Sequence, residues 1–291
     1  GPFVLLRRNK LAGFGLLCWG VGFVPVSQLI PLQNTLADRY LLLPTVGLAI
    51  MLAALPRSRV WDMVILVLIG YWSFYTWHRM PLWSSEILLL EDALEKVPDD
   101  EKSQHILTHS RIKASPENGQ RIAEDALKTY GSVAGLHHLL ATQHADPAEA
   151  LRQHQLAVSQ APESTAFRND YAIALQRNGQ LQGALEQAQK LTQIDPDYRK
   201  GWTTLSSIAI DLKAIEIGVD AAKRAIALDP FSATSWCNLG TLSYQQGQLQ
   251  GAVSGWTKCQ ELDPSIELAR KGLLHLRSLG YTPVTTPNTD Q

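Results

Sequence analysis

The sequence predicts an all-α protein in which about three transmembrane helices are followed by an α-solenoid of helical repeats. Residues 1–82 are rich in Leu, Val, Gly and Trp and carry few charges, whereas residues 83–280 have the Ala, Leu, Gln, Glu, Lys and Asp content of soluble helices. Prolines also recur at a fixed interval in the C-terminal half. The 291 residues suffice for two domains, so we expect an apolar N-terminal domain and a repeat domain.

Three apolar segments make up the predicted membrane region, at about residues 11–30, 40–55 and 60–77. A helix needs roughly 20 residues to cross the hydrocarbon core, and about 17 can suffice, so the first and third segments qualify. The second is shorter and contains Pro44 near its start. Buried core helices are the alternative, but Trp and Tyr at the segment ends are typical of membrane interfaces.

The basic residues of this region predict its orientation. Clusters at 7–10 and 57–59 flank the apolar segments and should face the cytoplasm. The loop that carries Asp38 and Arg39 would then lie on the opposite side, together with everything after the third segment. We therefore expect an integral membrane protein with extracytoplasmic repeats, in a periplasm or an endoplasmic reticulum lumen.

Asp38 and Arg39 admit two interpretations. They are either a local ion pair that sets topology at the membrane interface, or an outward-facing pair that shapes a polar cavity for a charged lipid headgroup. Ionisable residues beside membrane helices are candidates for function.

The repeat is defined by four prolines. Pro162, Pro196, Pro230 and Pro264 each follow the one before by 34 residues. A 34-residue period is that of the tetratricopeptide repeat, a helix–turn–helix unit with a W-x2-L-G-x2-Y…A-x3-F…P pattern. Gly179 and the equivalent Gly247 occupy the predicted turns between paired helices. The residues that carry the packing pattern are Trp202, Trp236, Leu239, Gly240, Ala252 and Trp256.

The remaining boundaries follow from this period. Residues 83–130 are predicted to form a junction helix and degenerate helical repeats, and residues 131–264 the tetratricopeptide repeats. Residues 265–281 have the leucine spacing of a capping helix. The polar tail 282–291 should be disordered.

Few residues offer catalytic chemistry. Nucleotide-binding, serine-hydrolase and zinc-protease motifs are absent from the sequence. The net charge of −1 and the pI near 6.8 argue against nucleic acid as a partner. Asp195, Asp229 and Asp263 each precede a repeat proline and are better explained as helix-boundary residues than as catalytic carboxylates.

The cysteines and histidines do not predict a disulfide or a metal site. Three cysteines are an odd set, so we expect Cys237 and Cys259 to pack inside helices. His105 and His109 are spaced to share a metal ion on one helix face, but the sequence places no third ligand. A solvated helix face is the favoured explanation, and we expect neither metal nor cofactor in this chain.

Two stretches resemble the tetratricopeptide-containing transmembrane O-mannosyltransferases and their bacterial relatives. One is the junction HRMPLWSSEILLLEDALEKVPDD, and the other is the segment PVSQLIPLQNTLADRYLLLP. Asp38 stands where the eukaryotic members are expected to have Glu, which suggests a bacterial relative. The matching residues are Arg79, Trp83, Ser85, Glu86, Leu89 and Pro98 in the junction, and Asp38, Arg39, Tyr40 and Pro44 in the membrane segment.

The resemblance implies a GT-C-type glycosyltransferase that uses a polyprenyl-phosphate sugar to modify protein Ser or Thr. In that class the catalytic acid lies in the first extracytoplasmic loop, which is absent here. The chain starts with Gly1, so we expect a C-terminal fragment in which Asp38 and Arg39 bind the lipid phosphate or hold the cavity. The alternative is a non-enzymatic, membrane-anchored scaffold. In both cases the repeats would bind a protein or peptide in their groove.

Overall fold

The computed structural model describes residues 14–19, 42–53 and 59–281, whose regular elements are α-helices and two short 3-10 helices. The chain forms two compact units, Gly1–Pro81 and Leu82–Gln291. Each unit is described separately below.

The first unit contains helix α1 (residues 14–19), α2 (Leu42–Ala53) and α3 (Arg59–Arg79). α1 and α2 cross closely, because a Cβ on Gly15 would lie 2.6 Å from the carbonyl oxygen of Gly47. α3 exposes large apolar side chains along its whole length. These include Val60, Leu66, Val67, Trp72, Phe74 and Trp77.

The structure does not support the prediction of three membrane-spanning helices. Among the residues that the structure describes, no helix has both the length and the apolar character needed to cross a bilayer. α2 has 12 residues, which is about 18 Å of helix. α3 has 21 residues but carries Arg59 and Asp62 in its first turn and His78 and Arg79 in its last. Most of segment 11–30 lies outside the described residues.

The second unit is a chain of helices joined by short links. After the 3-10 helix Met80–Ser84, its helices are α4 (Glu86–Lys96), α5 (Glu101–Ala114), α6 (Gly119–Tyr130), α7 (Ala134–Gln143), α8 (Pro147–Gln160), α9 (Thr165–Arg177), α10 (Leu181–Ile194), α11 (Arg199–Leu212), α12 (Ile215–Leu228), α13 (Ala233–Gln245), α14 (Leu249–Leu262) and α15 (Glu267–Ser278).

The helices pair into consecutive hairpins. α7 with α8, α9 with α10, α11 with α12 and α13 with α14 form four repeats, and α15 packs on the last. The first helices of neighbouring repeats also contact each other: α9 packs against α11, and α11 packs against α13. They therefore form the inner layer of a solenoid, and the second helices form the outer layer.

The helix boundaries are set by short-range hydrogen bonds that recur with the repeat. The side chains of Asp195, Asp229 and Asp263 each accept a hydrogen bond from the backbone N–H two residues later, at 2.9–3.0 Å. Gly179 and Gly247 adopt positive φ angles of 74° and 77° at the turns inside their hairpins, a conformation that glycine adopts without steric cost.

The repeats bury a continuous core built from small and aliphatic residues. Ala184 and Ala252 are fully buried at equivalent positions. The intervening repeat has Gly218 there, where a Cβ would meet Leu242 at 2.5 Å. In the last repeat Trp256 packs between Gly240 and Gly272. The indole is thereby shared by the fourth repeat and the cap α15.

The cysteine prediction was wrong. Cys237 in α13 and Cys259 in α14 form a disulfide, with Cα atoms 5.2 Å apart. The two residues lie on the facing sides of one hairpin, which brings them together across a sequence separation of 22. Counting cysteines failed because the third, Cys18, belongs to the other unit.

Candidate functional site

The residues suggested by the family resemblance contribute little to a described site. Asp38 and Arg39 lie outside the described residues. Arg79 donates a hydrogen bond to the hydroxyl of Tyr75 at 3.1 Å, within α3. Trp83 is 62% exposed, and Glu86 accepts a hydrogen bond from Ser110 at 3.0 Å. Glu86 thus links α4 to α5.

The residues of the repeat pattern occupy structural positions. The indoles of Trp202 and Trp236 donate hydrogen bonds to the carbonyls of Pro196 and Pro230, at 2.8 and 2.9 Å. Leu239 is half-buried in α13. Gly240 lies under the ring of Trp256, and Ala252 and Trp256 belong to the core of the last repeat.

The inner layer instead carries two adjoining clefts that share Asp170 and Ile173. The first, of about 440 Å³, lies between α7, α8 and α9. The second, of about 460 Å³, lies between α9, α11 and the start of α13, where Lys200 and Thr234 are exposed. Both volumes fall within the range of ligand-binding pockets, roughly 300–1,000 Å³.

Polar side chains link the successive inner helices beneath these clefts. Thr204 donates a buried hydrogen bond to Asn169 at 2.8 Å, which joins α11 to α9. Asn238 donates to Ser206 at 2.8 Å, which joins α13 to α11. Gln176 donates to Asp211 at 2.6 Å. Because buried polar groups are costly unless paired, the buried bond between Thr204 and Asn169 fixes the spacing of α9 and α11 at the second cleft.

Asp170 is the central charged group of the two clefts. Its side chain is 40% exposed, and the ring nitrogen Nε2 of His138 lies 3.6 Å from its carboxylate. Asn169 donates a hydrogen bond to the same carboxylate at 3.1 Å. Burial lowers the pKa of His138, so that imidazole is neutral at pH 7. A neutral His138 therefore adds no positive charge beside the Asp170 carboxylate.

One further histidine, His154, lies close to this carboxylate and to His138. Burial, together with the nearby His138, lowers the pKa of His154 to about 4. Burial also lowers the pKa of His105, with smaller contributions from His138 and His109. The rings of His138 and His154 lie 5.8 Å apart. His105, His138 and His154 are thus neutral and partly buried at physiological pH.

These histidines do not form a recognisable metal centre. Within the described parts of the chain, no group of three or more His, Cys, Asp or Glu side chains is arranged to hold a metal ion. The rings of His105 and His109 stack at 6.4 Å on α5. His105 is half-buried against α7 rather than solvated.

The sequence pattern did not indicate Asp170, His138 or His154 as site residues. They lie at positions that the repeat consensus leaves variable. The only available signal was the helical register, which puts Asp170 on the inner face of α9, at the same repeat position as Thr204 and Asn238.

Comparison with solved structures identifies the fold. The chain is similar to YrrB, described as a TPR protein with an unusual peptide-binding site, with a TM-score of 0.53 and 15% identity over 65% of this chain and 97% of that one. It is also similar to MamA residues 41-end from Desulfovibrio magneticus RS-1, with a TM-score of 0.50 and 17% identity over 58% and 97% of the two chains. At these identities the likeness shows the tetratricopeptide-repeat fold alone.

Sequence comparison agrees with this fold. The chain is 28% identical over 90 residues to Small glutamine-rich tetratricopeptide repeat-containing protein 2 of Mycosarcoma maydis. The match spans 31% of this chain and only 26% of that protein. No protein-family profile matches the chain.

Proposed function

We propose that this tetratricopeptide-repeat protein is a binding scaffold whose inner groove holds a polypeptide segment of a protein partner. The observation that carries the proposal is the pair of adjoining clefts along the inner helices α7, α9 and α11, with α8 also lining the first cleft and the start of α13 the second. Solenoids of this kind use their concave surface for extended or helical peptides. The description of YrrB as a protein with a peptide-binding site supports this proposal.

Site-specific photo-crosslinking in cells tests the groove. A photoreactive amino acid is placed at Lys200 or Thr234, which are exposed in the second cleft. The matched control places it at Lys223, exposed on the outer-layer helix α12. We expect a discrete crosslinked partner from the two inner positions and none from Lys223. Equal crosslinking from Lys223, or none from the inner positions, would contradict the proposal.

The scaffold accounts for the observations better than the glycosyltransferase implied by the resemblance. The similar proteins support a repeat protein that binds protein, and they give no support for glycosyl transfer. The donor-binding pair Asp38 and Arg39 lies outside the described residues. We therefore do not extend the polyprenyl-phosphate donor to this chain.

We propose that residues 1–82 attach the scaffold to a membrane. The support for this proposal is their apolar composition and the exposed apolar side chains of α3, which would be unfavourable in water as a contiguous patch. Alkaline carbonate extraction of cell membranes tests it. The full chain should stay in the pellet, and release into the supernatant would argue against integral attachment.

We propose further that the repeat domain works in an extracytoplasmic, oxidising compartment. The disulfide between Cys237 and Cys259 supports this location, because disulfides persist in such compartments and are rare in the cytosol. Gel-shift alkylation without prior reduction tests it on protein from cells. Both cysteines should resist alkylation until a reductant is added, and immediate labelling of both would point to the cytoplasm.

A further inference from the structure

The cleft between α7, α8 and α9 contains a polar side chain with an open hydrogen-bonding position. His154 lines this cleft and is only 6% exposed. Within the described residues, its Nδ1 atom has no hydrogen-bond partner, and neither has Nδ1 of the adjacent His138. A buried polar atom without a partner costs free energy, which a ligand that completes its hydrogen bonds would recover.

Asp170 and His154 offer hydrogen-bond acceptors in this cleft. The carboxylate of Asp170 offers two acceptor oxygens. A neutral imidazole has one ring nitrogen that accepts, and burial keeps both His138 and His154 neutral by lowering their pKa values. A cationic group that only donates hydrogen bonds, such as a guanidinium with five N–H donors, complements this set. An anionic group would instead face the Asp170 carboxylate.

The basic side chain that lines the same cleft does not cancel this preference. Arg177 lines the far end of the cleft and is exposed. It follows Asp170 by seven residues, which is about 10 Å along a helix. That distance is close to the Debye length at physiological salt, roughly 8 Å. Repulsion between Arg177 and a cation bound at Asp170 is therefore largely screened.

The geometry points to this cleft as the subsite that receives a basic side chain, above all arginine, of the polypeptide bound in the groove. The inference rests on the proposed peptide-binding function and specifies its partner. Asp170 pairs with the cation, and His154 accepts one of its remaining hydrogen bonds, while His138 supports the Asp170 carboxylate from behind. The wall formed by Ile173, Ala150 and Ala174 contacts the aliphatic part of the side chain.

Selection from a phage library of random dodecapeptides on the full-length protein tests the inference. We expect the wild type to select peptides that share one arginine or lysine position. Asp170→Asn should lose this preference, because the amide preserves the shape and one oxygen while removing the charge. Asp220→Asn, on an exposed carboxylate of α12, is the matched control and should select the same peptides as the wild type.

Calorimetric titration of the best selected peptide measures the effect. Asp170→Asn removes a charge-assisted hydrogen bond, which contributes about 1.5–3 kcal/mol. The Kd for the peptide should therefore rise roughly 10- to 100-fold in this variant. Replacing the peptide's basic residue with Gln should weaken wild-type binding equally and have little further effect on Asp170→Asn. His154→Leu, which removes both ring nitrogens and leaves an apolar side chain, should raise Kd about threefold or more. Thermal melting confirms that each variant is folded.

The outcomes separate this inference from the proposed function. Three results would overturn the inferred subsite for a basic side chain but leave the proposed peptide-binding groove. The selected peptides could lack a basic position, they could carry an acidic one, or they could bind Asp170→Asn as tightly as the wild type. Failure of the wild type to select any peptide above background would overturn both. Discrete inner-position crosslinks combined with acidic selected peptides would assign the recognition to Lys200 and Arg177 instead.

Discussion

The carbonyl groups of the repeat prolines show how different side chains perform one structural task. Trp202 and Trp236 each donate to the proline carbonyl six residues earlier. In the second repeat, Arg168 donates to the carbonyl of Pro162 at 2.5 Å. Ahead of the repeats, Gln104 bonds Pro98 in the same way. A consensus based on tryptophan therefore misses positions where another donor reaches the same oxygen.

The buried histidines predict acid lability of the first repeat and of the preceding helix α5. The pKa of His154 is about 4 in the folded protein against 6.5 as its usual value. The neutral form is favoured by folding, so stability is complete above pH 6.5 and falls as the pH drops toward 4. Between pH 7.5 and 5 we expect a loss on the order of 1–2 kcal/mol, measured by urea unfolding. The lowered pKa values of His138 and His105 act in the same direction.

The variant His154→Leu provides the control for this pH effect. It should flatten the change in stability between pH 7.5 and 5. Glu149 does not interfere with this comparison. Hydrogen bonds from Arg152 and Gln153 lower the pKa of its carboxyl from 4.5 to about 2, so its contribution to stability is lost only below about pH 4.5. An unchanged pH profile in His154→Leu would show that other groups are responsible.

Two glycines of equivalent helices should respond oppositely to alanine. A Cβ on Gly255 would lie 2.7 Å from the backbone of Gly240, which cannot move aside. Gly255→Ala should therefore destabilise the protein by about 1–3 kcal/mol. A Cβ on Gly183 would meet only Leu175 at 3.8 Å, so Gly183→Ala should stabilise it by about 0.5–1 kcal/mol. Chemical unfolding measures both, and two changes of the same sign would contradict the packing argument.

At the scale of the element, the turn inside each hairpin distinguishes the third repeat from its neighbours. Gly179 and Gly247 occupy this turn in the second and fourth repeats, whereas the third has Lys213 with φ 56°. The left-handed conformation costs an L-residue about 1–2 kcal/mol. The hairpin of α11 and α12 thus forms despite a local strain, because packing on both neighbouring repeats determines its geometry.

Replacing this lysine with glycine should stabilise the hairpin. We expect Lys213→Gly to raise the free energy of unfolding by about 0.5–1 kcal/mol, the relieved strain less the added flexibility of the unfolded chain. The same substitution at Lys223, inside the exposed face of α12, should lower it by about 1 kcal/mol. Thermal melting of the two variants side by side checks the expectation. A lower melting temperature for Lys213→Gly would refute it.

At the scale of the second unit, the repeats depend on their neighbours for burial. α15 covers the last hairpin with Leu273 and Leu276, and its Gly272 contacts the ring of Trp256. A chain that ends at Ile266 should lose about 3–6 kcal/mol locally, since two large apolar contacts are uncovered. Hydrogen exchange should then show α13 and α14 deprotected, with α9 and α10 nearly unchanged.

A shorter truncation controls for the change in length. Ending the chain at Tyr281 removes only residues 282–291 and keeps α15 complete, so hydrogen exchange should match that of the full chain. Equal deprotection of all repeats on loss of α15 would mean that the solenoid unfolds as a single unit. That result would contradict the nearest-neighbour account of repeat stability.

The candidate site was less predictable than the repeat that carries it. The helical register places Asp170 on the inner face of α9, but nothing in the sequence pattern brings it near His138 and His154. Those residues lie on α7 and α8, in the preceding repeat. Their proximity depends on how far one hairpin rotates against the next, which variable side chains decide.

The sequence by itself determined the 34-residue period, the paired helices, their turns at Gly179 and Gly247, and the cap. These features follow from local constraints, namely proline and aspartate at helix boundaries, glycine in a turn and apolar residues at helical spacing. Only the tertiary structure decided the Cys237–Cys259 disulfide and the histidine-lined cleft around Asp170. Both bring together residues of different helices, and such contacts depend on the packing of whole hairpins rather than on any spacing along the chain.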